Sequence, residues 1–167
     1  MIPYYTRFSL LALFLILVQV LIFDHINLFG FSNPMVYVLL MIIYRLDLDQ
    51  FGFIIIAFII GFMLDLISHT AGANSLACVS IAFARPLVSR FALGTNYDQS
   101  NAIFTNTLLS NRLLYYYLMV MIHQLFYTLM AYFTLEHMVT IVLHTVVNSL
   151  FSWLIILACI SLLKPKK

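Results

Sequence analysis

The stretch Phe51-Gly-Phe-Ile-Ile-Ile-Ala-Phe-Ile-Ile-Gly-Phe-Met-Leu-Asp-Leu-Ile67 contains a single charged residue, Asp65. A helix of about 17–25 predominantly apolar residues is long enough to cross the hydrocarbon core of a bilayer. The rest of the chain has a similar character, because 64% of its 167 residues are hydrophobic and only 8% are charged. A soluble domain carries about 25% charged residues, so the solvent of this chain is lipid.

Basic residues separate the apolar runs in a one-sided pattern. The eight Lys and Arg residues fall at every second boundary between runs and at the two ends, while Asp24, Asp65 and Glu136 fall at the other boundaries. Cytoplasmic loops carry the Lys and Arg excess, so both termini are predicted to be cytoplasmic. The net charge of +2 is too small and scattered for nucleic-acid binding. The basic residues are Arg7, Arg45, Arg85, Arg90, Arg112, Lys164, Lys166 and Lys167.

These patterns predict one integral membrane domain over residues 1–167, an all-α polytopic membrane protein with six transmembrane helices. The first run, Phe8–Phe23, lacks a small-x-small cleavage site, which favours a retained helix over a signal peptide. The second is the weakest by hydropathy, although Asn33 and Pro34 resemble a helix start. It is kept because only six crossings place every basic residue on one side. The predicted helices cover about 8–23, 28–44, 51–67, 75–91, 113–133 and 138–163.

Ionisable residues at membrane depth are functional candidates, because burying a charge without a partner is costly. Asp65 and His69 lie four residues apart near the end of the third helix, where they could pair. The alternative is a carboxylate at the interface that reaches water. Arg85, beside the helix-kinking Pro86, either extends to the cytoplasmic headgroups or pairs with Asp47 or Asp49.

A stripe of polar residues follows one face of the last predicted helix at intervals of four. The fifth helix offers His123 and Gln124 as possible partners. Such stripes either join helices through hydrogen bonds or line a polar cavity, and helix joining is the more common use. In the third helix, Gly52 and Gly61 share a face that allows close helix contact. The stripe consists of Thr140, His144, Asn148 and Ser152.

The sequence contains no recognised catalytic motif, so we predict that the protein is not an enzyme and needs no cofactor. Acids and histidines near the predicted outer face could in principle hold a metal, but none has a zinc-ligand spacing, and no metal is predicted. Cys78 and Cys159 are predicted to be unpaired, and Tyr115–Tyr117 to form an interfacial aromatic belt. The acids and histidines considered are Asp24, His25, Asp65, His69, Glu136 and His137.

The middle third of the chain resembles the rod shape-determining protein MreD family. The resemblance rests on chain size, on six-helix hydropathy and on the order of four motifs. These are Asn33-Pro34, then Gly61-Phe-Met-Leu-Asp65, then Thr70-Ala-Gly72-Ala-Asn-Ser-Leu-Ala, and finally Ala84-Arg85-Pro86. The last third matches only in hydropathy. By this resemblance, Gly61, Asp65 and Gly72 are pattern positions of the family.

The resemblance implies a non-enzymatic inner-membrane component of the cell-elongation machinery that directs lateral peptidoglycan synthesis and rod shape. It implies MreC as the direct partner, through its transmembrane helix, and MreB, RodA and a penicillin-binding protein as indirect partners. A homodimer is also compatible with the sequence.

The resemblance also implies a fold similar to the substrate-binding subunits of energy-coupling-factor transporters, so a vitamin-binding subunit is the alternative function. However, the first helix has no Ala-x-x-x-Ala docking motif. A lipid flippase, the third option, would need a charged central cavity.

Overall fold

The computed structural model describes residues 4–26, 33–45, 49–94, 108–133 and 138–163, and these residues form an all-helical bundle. Helix α1 continues into a π-helical turn, and α2 is only six residues long. We call the end of the bundle that holds the turn between α3 and α4 the turn end. The helices are α1 (Tyr4–Val18, with the π-turn Gln19–Phe23), α2 (Val38–Ile43), α3 (Gln50–Ser68), α4 (Ala73–Leu93), α5 (Leu109–Tyr132) and α6 (Met138–Leu163).

Five of these helices are long and apolar enough to cross a membrane, namely all except α2. The chain is therefore a multi-pass membrane protein, as its composition predicts. The spanning helices begin and end within about four residues of their predicted bounds. The largest shifts are at the starts of α1 and α5, which begin four residues before their predicted positions.

The prediction for the second helix was wrong in its bounds. Residues 28–32 of the predicted helix lie outside the described part, and the chain from Asn33 to Met35 has no regular structure. Helix α2 then covers Val38–Ile43 alone. Nevertheless, the stretch from Pro34 to Ile42 is buried throughout, so it lies inside the protein rather than in lipid.

Side chains from α1 and α6 explain why this segment can be buried without being helical. The N–H of Met35 donates to Ser152 Oγ at 2.9 Å, and the N–H of Val36 donates to Gln19 Oε1 at 2.8 Å. Gln19 Nε2 in turn donates to the Pro34 carbonyl oxygen at 3.2 Å. Irregular backbone is tolerated at membrane depth only where protein groups satisfy it, and these bonds meet that condition.

Helix α4 continues through Pro86, because a side chain from α3 replaces the missing hydrogen bond. Proline has no N–H, so the carbonyl of Ala82, four residues earlier, loses its helical donor. Gln50 Nε2 donates to that carbonyl at 2.7 Å. This bond holds the start of α3 against the middle of α4.

The predicted aromatic belt was wrong for two of its three members. Tyr115 is completely buried and Tyr116 nearly so, because α5 begins before them and carries both into the core. Tyr117 is half-buried and packs edge to face against Trp153 of α6, with ring centroids 5.8 Å apart. The predicted free state of Cys78 and Cys159 is confirmed.

Candidate functional site

Asp65 caps the N-terminus of α4 from the neighbouring helix. Its Oδ1 accepts the backbone N–H of Asn74 at 2.9 Å, and its Oδ2 accepts the N–H of Ser75 at 2.8 Å. These are the second and third N–H groups of the helix, which an N-cap side chain normally satisfies. Gly72 occupies the N-cap position and has no side chain to do so. A carboxylate here is further stabilised by the positive end of the helix dipole.

Hydroxyl groups complete the coordination of the Asp65 carboxylate. Thr70 Oγ1 donates to Oδ1 and Ser75 Oγ donates to Oδ2, both at 2.5 Å. The suggested pairing with His69 is wrong, because that residue is exposed and ends α3 in the left-handed conformation, with φ 53°. Asp65 is only 8% exposed, so the alternative of a carboxylate that reaches water is wrong as well.

Gly61 permits the close approach on which this cap depends. It lies one turn before Asp65 on the same face of α3. A Cβ atom at Gly61 would lie 2.6 Å from Ser75 Cα and 2.7 Å from the Asn74 carbonyl oxygen. Gly72 serves in a different way, because its φ of +91° is one that side-chain-bearing residues rarely adopt. Gly61, Asp65 and Gly72 thus act together to join α3 to α4, and we call them the capping unit.

A chain of hydrogen bonds leads from the capping unit into the bundle. Asn74 Nδ2 donates to Asp65 Oδ1 at 3.2 Å, so its Oδ1 is an acceptor, and the Tyr37 hydroxyl donates to it at 2.6 Å. His123 Nε2 lies 2.8 Å from the same hydroxyl and must therefore be the donor. This order makes His123 Nδ1 an acceptor, and it has no partner within the described residues.

The predicted polar stripe of α6 faces α5, as expected for residues that join helices. Thr145, beside the stripe, lies 2.7 Å from the hydroxyl of Thr128, and Gln124 Nε2 donates to Ser152 at 3.3 Å. His144 lies 3.4 Å from the Tyr132 hydroxyl.

Asn148 is buried between these bonded pairs. Its Oδ1 and the Oε1 of Gln124 lack partners in the described part of the chain. Thr140, at the start of the stripe, is half-buried.

Arg85 is 2% exposed, so the interpretation that it extends to the headgroups was wrong. Its Nε donates to the Tyr115 hydroxyl at 3.1 Å, and its Nη2 donates to the carbonyl oxygen of Tyr44, which follows α2. The guanidinium carbon lies 4.5 Å from the centre of the Phe53 ring, a cation–π contact. Arginine near a helix C-terminus satisfies carbonyls that have no helical donor, so Arg85 fixes the end of α2.

Of the two carboxylates suggested as partners of Arg85, the structure describes only Asp49. Asp49 accepts the N–H groups of Phe51 and Gly52, which makes it the N-cap of α3. Asp47 lies outside the described residues.

A cavity of about 330 Å³ opens at the turn end, where the π-turn of α1, the start of α4 and the last part of α5 meet. Asp24 lies at its rim and accepts from Gln19 Nε2 at 2.9 Å and from Ser68 Oγ at 2.5 Å. Tyr37 and Asn74 line its buried part.

The described residues contain no group of three potential metal ligands close enough to hold an ion. Glu136 and His137, which the sequence placed near the same face, lie outside those residues.

Comparison of the chain with protein families, with curated proteins and with solved structures found no match. The sequence and the geometry above therefore carry the functional argument.

Sequence reasoning missed two residues, Tyr37 and Gln50, whose side chains join separate helices. Tyr37 lies in an apolar run and reads as core, and only its hydroxyl gives a signal that a polar partner is needed. Gln50 precedes the third apolar run and reads as a surface residue. Because a proline inside a helix always frees one carbonyl, Pro86 could have prompted a search for such a donor.

Proposed function

We propose that the protein is a non-enzymatic membrane scaffold of the MreD type, which binds the transmembrane helix of MreC and helps to direct lateral peptidoglycan synthesis. The observation that carries the proposal is the capping unit. Gly61, Asp65 and Gly72, which the resemblance gives as pattern positions of the family, are all engaged in joining α3 to α4. The motif thus has an architectural use, which suits a protein that presents helix faces to partners.

Exposed apolar side chains cover the outside of the bundle and supply the faces that a partner helix needs. Phe62 of α3 is 48% exposed and Val142 of α6 is 59% exposed. Transmembrane helices associate mainly by close packing and hydrogen bonding. The single helix of MreC is proposed to pack on one such face.

We further propose six crossings, with both termini in the cytoplasm of a bacterial inner membrane. The segment from Met35 to Tyr44 begins beside Gln19 and ends beside Phe8, whose ring centroid lies 5.4 Å from that of Tyr44. Gln19 and Phe8 are about 17 Å apart along the first helix, at a rise of 1.5 Å per residue. The segment therefore runs back along the first helix over that distance. Helices α5 and α6 run antiparallel, which supports a return to the starting side.

The topology is tested by a reporter inserted after residue 133 of the full chain and, separately, by a reporter fused after residue 167. A cytoplasmic reporter after residue 167 and an external one after residue 133 are expected. An external reporter after residue 167 would contradict the proposed orientation.

The scaffold function is tested by purifying the tagged chain from the native membrane of a rod-shaped host. MreC is expected in stoichiometric amounts, and an unrelated multi-pass protein with the same tag serves as the control. Photocrosslinkers at Phe62 and Val142 then identify the face, with the buried Phe53 as a position that should not crosslink. Depletion is expected to turn rods into spheres. Depleted cells that keep their shape, or preparations without MreC, would refute the proposal.

The cavity at the turn end favours a second candidate, a small-molecule binding subunit of a transporter. Its volume of about 330 Å³ lies at the lower end of the range for ligand sites, about 300–1,000 Å³. The absence of an Ala-x-x-x-Ala motif in the first helix places this function second. A stoichiometric vitamin in the purified protein, together with an associated ATPase, would reverse the order.

A further inference from the structure

The lining of the turn-end cavity favours a positively charged ligand. It includes the Asp24 carboxylate and no Lys or Arg among the described residues. Asp65 adds a second negative charge behind the wall, since its oxygens bind Thr70 and Asn74, which line the cavity. The electrostatic field inside a cleft whose lining has one sign of charge concentrates ions of the opposite sign.

The only histidine among the described lining residues binds the backbone through one of its ring nitrogens. His25 Nδ1 lies 3.0 Å from the carbonyl oxygen of Val20, and a carbonyl can only accept. In the neutral ring the proton is therefore on Nδ1, and Nε2 is left as an acceptor. A ligand that donates hydrogen bonds fits this lining better than one that accepts them.

Aromatic rings and an irregular helix complete the site. Tyr37 and Tyr127 both line the cavity. Rings of this kind attract cations through their negative faces. Gln19 and Val20 belong to the π-turn of α1, and π-turns inside helices occur frequently at functional sites.

We propose that this cavity binds a small organic cation, with an ammonium group held between the Asp24 carboxylate and the Tyr127 ring. The ligand class follows from the charge, the acceptors and the rings, and the volume restricts it to a compact molecule. The ammonium can belong to a free solute or to the ethanolamine headgroup of a lipid, because the cavity lies at one end of the bundle. The proposal goes beyond the scaffold function and does not depend on it.

The site is tested with the full chain in nanodiscs of phosphatidylglycerol, by calorimetric titration with choline. The neutral isostere 3,3-dimethylbutan-1-ol is the matched control ligand. Asp24→Asn removes the charge and should weaken choline binding about tenfold or more, and Tyr127→Leu about three- to tenfold. Asp49→Asn, an equally exposed carboxylate at the opposite end, should leave binding unchanged.

Nanodiscs that also contain phosphatidylethanolamine distinguish the two ligand sources. If choline binds more weakly in these nanodiscs, the lipid headgroup competes for the site and is its occupant. If choline binding is unchanged, the occupant is a free solute. The proposal is overturned if choline does not bind at millimolar concentration, if the neutral isostere binds equally well, or if Asp49→Asn weakens binding as much as Asp24→Asn. Copurification of MreC is unaffected by these outcomes, so the two proposals fail separately.

Discussion

Replacing Gly61 with alanine tests the contact between α3 and α4 directly. The added Cβ would lie 2.6–2.8 Å from three backbone atoms of Asn74 and Ser75, whereas ordinary contacts begin at 3.4 Å. Backbone atoms of a helix cannot rotate away as a side chain can. The two helices must therefore separate by about 1 Å, because a packed interior has no free space to absorb the atom.

The separation has a calculable cost. It would lengthen the bonds from Asn74 and Ser75 to Asp65, now 2.9 and 2.8 Å, beyond hydrogen-bonding distance. Hydrogen bonds to a charged group contribute about 1.5–3 kcal/mol each, so two of them amount to about 3–6 kcal/mol. The higher helix propensity of alanine returns about 1 kcal/mol. Gly61→Ala should therefore lower the free energy of unfolding by about 2–5 kcal/mol.

The measurement is reversible unfolding in detergent micelles, with Gly52→Ala as the matched control. The Cβ of that variant meets only the Asp49 side chain, at 3.3 Å, which can shift. It should be neutral or slightly stabilising. Since Gly61 and Asp65 act as one unit, the double variant with Asp65→Ala should lose less than the sum of the single losses. If the two glycine variants were equally stable, the close contact would be refuted.

Substitutions at three further residues, Gln50, Ser152 and Arg85, test other contacts by the same unfolding measurement. Gln50→Ala should lower the free energy of unfolding by about 1–3 kcal/mol in the natural chain, but by under about 0.5 kcal/mol in a chain that already carries Pro86→Ala. Equal losses in the two chains would contradict the bond from Gln50 to the Ala82 carbonyl. Ser152→Ala should cost about 1–3 kcal/mol by leaving a buried N–H without its acceptor, whereas the exposed Ser161→Ala should cost under about 0.5 kcal/mol. Arg85→Lys should destabilise more than Arg85→Met, because lysine keeps a buried charge without the guanidinium geometry. The opposite order would show that the charge alone matters.

The spanning helices could be predicted from the sequence because lipid demands long apolar runs with internal hydrogen bonds. The third run, Phe51–Ile67, is such a case, and the structure extends it by one residue at each end. Helix length and hydropathy are local properties, so neither requires knowledge of the neighbouring helices.

The short second helix could not be predicted, because the groups that shape it are far away in the sequence. Its irregular start depends on Gln19 and Ser152, which lie 17 and 117 positions from their backbone partners. A hydropathy profile contains no record of such bonds. The rule that Asn-Pro begins a helix failed here, because side chains took the place of the helical acceptors.

The residues of the capping unit were singled out in the sequence, but the contacts that they make were not predicted. Gly61, Asp65 and Gly72 were identified from their order, whereas Asp65 was paired with His69 from helical spacing alone. Its true partners come after a turn that reverses the chain direction, and that turn depends on the left-handed conformation of His69, Ala71 and Gly72. Side-chain spacing within one helix could not reveal a contact made across the turn.

The bond from Met35 to Ser152 also bears on how the protein is made. During synthesis the ribosome produces the buried segment long before α6, so the N–H of Met35 has no acceptor on that helix while the first helices enter the bilayer. Until α6 arrives, the start of the segment is expected to stay within the insertion machinery or at the aqueous surface, where water satisfies this N–H. Assembly of the bundle is therefore expected to finish after translation, and release of a chain that lacks α6 should direct it to quality-control proteolysis.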